Sequence, residues 1–114
     1  GRANWSATLS DLFPNIALHP SWRDIPLTAV MGHVAGLSDQ TAMGRSWLMT
    51  ARADPRSLPE QRRVLVESML TVPRAGTLGA FAYGNANYVV LGAAIEAITG
   101  QSWEEVMRSQ LFVP

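Results

Sequence analysis

The sequence predicts a mainly α-helical chain that forms a single domain over residues 1–114, and three observations support that class. The length fits one domain with a modest core, and 47% apolar against 16% charged residues is typical of a packed globular chain. Apolar residues recur at helical spacing in the second half of the chain. No run of residues alternates between apolar and polar as a half-buried strand would.

Residues 1–27 are predicted to be mainly loop, because Pro14, Pro20 and Pro26 interrupt them. A short turn of helix is expected near residues 8–13. The expected anchors of this segment to the core are four large apolar side chains: Trp5, Leu9, Phe13 and Trp22.

Two short helices should follow. In "LTAVMGHVAGL", Thr28 is the expected N-cap and Gly36 is expected to end the helix in a left-handed conformation. Its apolar residues share one helical face: Val30, Met31 and Val34. Residues 39–52 predict a second, weaker helix with Asp39 as its candidate cap.

The next helix begins after a break at "ADPRSLPE". Ser57 and Glu60 have the spacing of a capping box, which predicts a helix from about residue 59 to residue 72. Three apolar residues should line one side of it: Leu65, Met69 and Val72.

The last two helices have clear local signals. Residues 86–99 are apolar on nearly every side, which predicts a central helix, and Gly100 should end it. Ser102 and Glu105 form a second capping box, so a final helix should run to about Phe112.

Composition argues against several classes of function. The formal net charge is zero, and the arginines of residues 52–74 are interspersed with acidic residues, which favours a solvated helix face over a nucleic-acid site. Cysteine is absent, so no thiol nucleophile or disulfide is expected. No apolar run approaches the roughly 18 residues needed to span a membrane.

Metal and cofactor sites are not expected either. His19 and His33 are not in ligand spacing on one helix, so we predict no metal site and no cofactor. His33 is expected to pack near a helix end and to donate a hydrogen bond to a carbonyl.

The stretch "FAYGNANYVVLG" at residues 81–92 leaves two interpretations open. In the first it is only a turn, in which Tyr83 buries its ring and bonds its hydroxyl, Gly84 permits a bend, and Asn85 or Asn87 caps the next helix. In the second, Tyr83 and Asn85 belong to an active site.

Residues 76–114 resemble the segment around the Tyr-x-Asn motif of the serine β-lactamase-like family, which groups class C β-lactamases, D,D-peptidases (penicillin-binding proteins) and related esterases. The matching residues follow one another in the family's order: Gly76-Thr77, Phe81, Tyr83-Gly84-Asn85, Asn87-Tyr88, Leu91-Gly92, Ile95-Glu96, Thr99-Gly100, Ser102-Trp103-Glu104-Glu105 and Leu111-Phe112-Val113-Pro114. The family more commonly has Ser or Ala where Gly84 stands.

A second block strengthens the resemblance. "IPLTAVMGHVAGLSD" is similar to the family's Ile-Thr-Leu-Arg-His-Leu-Leu-x-His-Thr-Ser-Gly-Leu. The matched residues are Thr28, His33, Gly36 and Leu37, while Val34-Ala35 replace Thr-Ser. Two blocks in the right order are more specific than the triplet alone.

The resemblance implies a mechanism and a fold. In this family a Ser of a Ser-x-x-Lys motif attacks a carbonyl and forms an acyl-enzyme that water releases. By resemblance, Tyr83 is the catalytic proton-transfer tyrosine and Asn85 binds the substrate amide and the catalytic lysine. The implied fold is the helical lobe of a two-lobed structure whose antiparallel sheet is absent from this chain.

The nucleophile cannot be assigned within this chain, which contains nine arginines and no lysine. By resemblance, Ser-x-x-Lys should precede residue 1 and the third motif should follow Pro114. A free tyrosine has a pKa of about 10 and is only about one-thousandth ionised at pH 7, so its activation needs neighbouring cations or a proton relay. We therefore expect this chain to be inactive alone.

Two functions remain open. The first is the helical-lobe fragment of a serine hydrolase whose full-length form takes a small-molecule substrate: a β-lactam, a D-amino-acid peptide or an ester. The second is a stand-alone helical binding or structural module derived from the same lobe. A lobe should expose an apolar surface, which a homodimer could cover, whereas a module should be monomeric and polar. The compartment is unassigned, and the family resemblance is compatible with a periplasmic or secreted protein.

Overall fold

The computed structural model describes residues 3–114, apart from the side chains of residues 41 and 42. That part of the chain contains α1 Leu9–Leu12, α2 Pro20–Arg23, α3 Leu27–Met31, α4 Asp39–Ala42, α5 Arg45–Thr50, α6 Leu58–Leu70, α7 Asn85–Thr99 and α8 Trp103–Met107. A 3₁₀ turn, Ala51–Ala53, follows α5, and a π-helical turn, Arg108–Phe112, follows α8. The described residues form no strand beyond an isolated bridge between Thr8 and Pro26, and the predicted mainly α class is confirmed.

Helix α7 lies at the centre, packed against α1, α3, α4, α6 and α8. Its inward side carries small residues, Ala86, Ala93 and Ala94, together with Val90, and these let neighbouring helices approach closely. The prediction of a central helix is therefore confirmed. However, Tyr88 is 57% exposed, so the apolar surface of α7 is not covered on every side.

The N-terminal segment is held by backbone contacts and three of its four expected anchors. The predicted turn is α1, where Thr8 and Asp11 form a reciprocal capping box, whereas α2 was not predicted. Leu9, Phe13 and Trp22 are buried. The expectation for Trp5 was wrong: it is 68% exposed. It lies in a turn closed by the Asn4 carbonyl, before the point at which Ala7 joins Leu27.

Helix α3 differs from its prediction at both ends. The Leu27 amide donates to the Ala7 carbonyl at 2.8 Å, so the helix begins at Leu27 and Thr28 is not its cap. It ends at Met31, and Val34 lies beyond it. Gly36 has the expected positive φ of 88°, but five residues after the helix end.

The predicted helix over residues 39–52 is divided into α4 and α5. Its cap is Ser38, whose Oγ accepts from the Gln40 amide at 3.3 Å, and not Asp39. The break falls at Met43 and Gly44, where Gly44 has an extended conformation with ψ of −174°. This arrangement leaves the Asp39 carboxylate available to α7.

The remaining helix ends follow their local signals. Ser57 caps α6 and Ser102 caps α8, each by accepting from the amide three residues later. Gly100 ends α7 with φ of 70°, in the left-handed region that favours glycine. Leu65 and Met69 are buried as expected, while Val72 is exposed beyond the end of α6.

The segment after α3 and the loop before α7 touch through two glycines. A Cβ on Gly76 would lie 2.6 Å from the Gly36 Cα and 2.9 Å from the Gly36 carbonyl oxygen. Because both neighbours are backbone atoms, no side-chain rotation can relieve such a contact. The two glycines therefore let the chain cross itself beside the start of α7.

Arg62 joins α6, α7 and α8 through two acidic side chains. Its Nη2 lies 2.6 Å from Glu96 Oε1 and 2.8 Å from Glu104 Oε2. Glu96 Oε1 also accepts from the Trp103 amide at 2.9 Å. This network fixes α8 against the other two helices.

Among the described residues, no helix has both the length and the apolarity needed to cross a membrane.

Gly76→Ala should destabilise the fold by about 1–3 kcal/mol, because the added methyl overlaps the Gly36 backbone. Urea unfolding measures the change. Gly32→Ala is the matched control, since a Cβ there meets its nearest neighbour at an ordinary 3.4 Å. Equal stability of the two variants would contradict the proposed overlap.

Acid should weaken the Arg62 network, because Glu104 loses its charge at low pH. The hydrogen bond from Arg62 lowers the pKa of Glu104 below its ordinary value of 4.5. A folded pKa below the unfolded one means that this contribution to the free energy of unfolding is complete above pH 4.5 and is lost as pH falls through the folded pKa.

The stability difference between wild type and Glu104→Gln should therefore shrink between about pH 6 and about pH 3, as measured by urea unfolding. Glu105→Gln is the control, because that carboxylate lies against the exposed Arg108. A difference that does not change with pH would show that Glu104 does not stabilise the fold through its charge.

Candidate functional site

Tyr83, Gly84 and Asn85 lie where an extended loop enters α7. Gly84 is the N-cap residue, with φ of −163° and ψ of 137°, which any residue can adopt. The expectation that glycine is needed here for a tight bend was wrong. Gly84 is instead crowded, since a Cβ would lie 3.2 Å from Asp39 Oδ1.

His33 and its neighbour Val34 hold this loop from the other side. The Val34 carbonyl accepts from the Gly79 amide, and the His33 carbonyl accepts from the Ala82 amide, both at 2.8 Å. His33 Nδ1 accepts from the Gly84 amide at 3.3 Å. Three hydrogen bonds thus align the loop along residues 33–34.

The ring of His33 acts as an acceptor. Accepting at Nδ1 requires the tautomer that carries its proton on Nε2, and the Asn87 Nδ2 lies 3.1 Å from the same nitrogen. The prediction that His33 packs near a helix end is correct, since it follows α3. The prediction that its ring donates to a carbonyl was wrong, because Nδ1 accepts from an amide of the Tyr-x-Asn loop.

Three aromatic rings surround His33 and form what we call the aromatic cluster: Phe81, Tyr83 and Tyr88. The centroid of Tyr83 lies 4.7 Å from that of His33, with those of Tyr88 and Phe81 at 5.4 and 6.0 Å. Tyr83 is nevertheless 72% exposed, and its hydroxyl makes no hydrogen bond within the described part of the chain. The expectation that Tyr83 buries its ring and bonds its hydroxyl is therefore wrong.

Asp39 caps α7 from another helix. Its Oδ1 accepts from the Ala86 amide at 2.7 Å, and its Oδ2 accepts from Asn85 Nδ2 at 3.2 Å. The sequence had suggested that Asn85 or Asn87 caps this helix. That expectation was wrong, because neither side chain accepts a capping hydrogen bond at the start of α7. The negative charge lies where the amides and dipole of α7 favour it.

An open groove begins beside Asn85 and runs between α5, α6, α7 and α8. Its volume is about 750 Å³, and it is lined mainly by apolar side chains, among them Trp47, Leu65, Ile95 and Trp103. Asn85 and Tyr88 form the end nearest the Tyr-x-Asn loop. A second cavity of about 340 Å³, beside Phe13 and Ala93, is lined by none of the Tyr-x-Asn residues.

One serine–histidine contact occurs away from this loop. The Ser21 hydroxyl lies 2.9 Å from His19 Nδ1, which also accepts from the Ser21 amide. Ser21 Oγ in turn accepts from the Arg74 amide at 2.9 Å. No carboxylate contacts His19 in the described residues, and these bonds are those of a helix start, so the pair is not arranged as a catalytic triad.

The Tyr-x-Asn loop can present a phenol and an amide to a ligand. No hydrogen bond or ion pair joins Tyr83 to a cationic side chain within residues 3–114. Sequence reasoning selected Tyr83 and Asn85 but missed the contact of Asp39 with Asn85. The available signal was the position of Asp39 directly after the "HVAGLS" block that resembles the family.

Comparisons with known proteins agree with this architecture. Penicillin-binding protein 4 of Amycolatopsis lactamdurans is 44% identical over 32 residues, which are 28% of this chain and 8% of that protein. The crystal structure of a D-stereospecific amidohydrolase from Streptomyces sp. matches the whole chain with a TM-score of 0.69 and 23% identity. The chain spans 35% of that structure, and at this identity the match shows the fold alone.

The family model described as Beta-lactamase matches residues 1–114. Together with the helical architecture and the amidohydrolase match, this identifies the fold as the helical lobe of the serine β-lactamase-like fold. Because the family model covers its whole length, the chain belongs to the Beta-lactamase family, whose members are β-lactamase-like hydrolases.

Proposed function

We propose that this chain is the helical lobe of a serine hydrolase that works through an acyl-enzyme, with Tyr83 transferring protons and Asn85 positioning the substrate. The observation that most supports the proposal is the combination of restraint and exposure at this loop. Tyr83 packs on His33 and Asn85 is bonded to Asp39, yet both side chains are exposed. Held but accessible polar groups are what a substrate-binding wall requires.

In the proposed reaction a serine from outside residues 1–114 attacks the substrate carbonyl. The serine proton passes to the Tyr83 oxygen, in its phenolate form, as the new C–O bond forms, and Tyr83 gives that proton to the leaving group as the carbonyl–leaving-group bond breaks. Water then attacks the acyl-enzyme carbonyl while Tyr83 takes its proton, and Tyr83 passes this proton to the serine oxygen as the acyl–serine bond breaks. Asn85 holds the substrate amide beside this centre.

The chain alone should not perform this reaction. Tyr83 needs a neighbouring cation or base to take a proton near pH 7, and this chain contains no lysine. Arg52 lines the groove, but an arginine stays protonated and cannot serve as a base at that pH. Lysine would therefore come from the part of the protein that carries the nucleophile.

Exposed apolar side chains favour the lobe over a stand-alone module. Phe81 is 71% exposed beside Tyr83, and large apolar residues are also exposed elsewhere: Leu48, Met49, Leu78, Leu111, Phe112 and Val113. Of these exposed residues, those of the aromatic cluster lie side by side around His33, and a contiguous exposed apolar patch is typical of an interface. We propose that the sheet lobe covers the aromatic cluster side in the full-length protein.

The proposed substrate is a small molecule with a reactive carbonyl: a β-lactam, a D-amino-acid peptide or an ester. A Tyr-x-Asn loop serves acyl transfer in general and does not distinguish among these classes. The apolar groove next to Asn85 suits a substrate that carries an apolar group on the side facing α7.

Tyr83→Phe in the full-length protein should lower kcat by about 100- to 10,000-fold, because it removes the hydroxyl that moves the proton. Hydrolysis of p-nitrophenyl esters and nitrocefin measures the effect. Tyr88→Phe is the matched control, since its ring also packs on His33 and is also exposed. Unchanged kcat in Tyr83→Phe, or equal losses in both variants, would overturn the assigned role.

The isolated chain should show no hydrolysis of either substrate and should self-associate through its exposed apolar surface. Sedimentation velocity measures association, and circular dichroism confirms that the chain is helical. Clear turnover that disappears in Tyr83→Phe would disprove the claim that the chain is inactive alone. A folded monomer at all concentrations would favour the stand-alone module.

A further inference from the structure

We propose that Asp39 is a positioning residue that determines which end of the Asn85 amide faces a bound substrate. The inference rests on the proposed function, because it assigns Asp39 a role only through Asn85. It concerns residues separated by 46 positions in sequence, on α4 and on the first turn of α7.

The chemistry of the contact sets the direction of the amide. An ionised carboxylate can only accept hydrogen bonds, so the end of Asn85 that faces Asp39 must be its NH₂ group. Nδ2 lies 3.2 Å from Asp39 Oδ2, and Oδ1 of Asn85 has no hydrogen-bond partner in the described part of the chain. Asp39 takes only one of the two N–H groups, so Asn85 keeps its Oδ1 and its second N–H for a ligand, in positions that the contact with Asp39 sets.

The carboxylate is itself held in place. Its other oxygen accepts from the Ala86 amide at 2.7 Å, and this backbone donor cannot turn away because it belongs to the first turn of α7. Asp39 is not needed to cap its own helix, since Ser38 performs that role. The Asp39 carboxylate thus bonds both to the first turn of α7 and to the side-chain amide of Asn85.

Gly84 is coupled to this arrangement. A Cβ at that position would lie 3.2 Å from Asp39 Oδ1, closer than ordinary van der Waals contact, and the carboxylate would have to move by a few tenths of an ångström. Glycine at this position therefore leaves room for the carboxylate. Gly84→Ala should weaken the same contact without changing any polar group.

Asp39→Asn tests the proposal in the full-length protein. The new side chain keeps an oxygen for the Ala86 amide, so the helix cap is retained, but it turns an NH₂ group towards Asn85. The Asn85 amide should then reverse, which exchanges the positions of its oxygen and its NH₂ group. Asp11→Asn is the matched control, because Asp11 also caps a helix, α1, and contacts none of these residues.

Two measurements follow the change. In ¹⁵N NMR, hydrogen exchange of the Asn85 side-chain amide should quicken about tenfold or more in Asp39→Asn and stay unchanged in Asp11→Asn. In ester hydrolysis, kcat/KM should fall about ten- to hundredfold in Asp39→Asn. The same substitution should have no further effect in an Asn85→Ala background, since Asp39 acts through Asn85.

An unchanged hydrogen-exchange rate of the Asn85 side-chain amide in Asp39→Asn would overturn the proposal. So would a loss of kcat/KM from Asp39→Asn that is equal in the wild-type and Asn85→Ala backgrounds. If Asp39→Asn does not fold, Gly84→Ala is subjected to the same exchange measurement and the same criterion. A full-length wild type that hydrolyses no substrate would instead overturn the proposed function. In that case the hydrogen-exchange rate of the Asn85 side-chain amide alone decides whether Asp39 orients that amide.

Discussion

The contact between residues 33–39 and the start of α7 is the interaction on which the rest of the structure depends. The first amides of a helix have no partners within it, and here Asp39 supplies one from α4. His33 supplies a second acceptor, to the Gly84 amide, and its carbonyl holds the preceding loop. Without these acceptors the central helix would begin with unsatisfied donors, and the Tyr-x-Asn loop would have no defined path.

Close approach makes that contact possible. Gly36 and Gly76 meet backbone to backbone, and the inward side of α7 carries small alanines. The same requirement explains Gly84, whose extended backbone any residue could adopt but whose Cβ would press on Asp39. Glycine serves the start of α7 mainly by lacking a side chain, whereas at Gly100 it serves by its left-handed backbone.

At the candidate site, Tyr83 and Asn85 are held in place by neighbouring residues and yet remain exposed. Tyr83 stacks on His33 while most of its surface stays open, and Asn85 is bonded at one end of its amide only. The apolar side chains around the loop remain uncovered in this chain. The chain belongs to the Beta-lactamase family, and in the two-lobed hydrolase that we propose, the sheet lobe would cover this surface.

The sequence by itself determined the helical class, the long central helix, the start of α6 and α8 and the end of α7, because the caps Ser57, Ser102 and Gly100 act within a few residues of themselves. It also selected Tyr83 and Asn85 as candidates, through resemblance. Only the tertiary structure decided that Asp39 caps α7 instead of α4, that α3 begins at Leu27, and that Trp5 lies outside the core. Each of these depends on a partner distant in sequence, which local spacing does not encode.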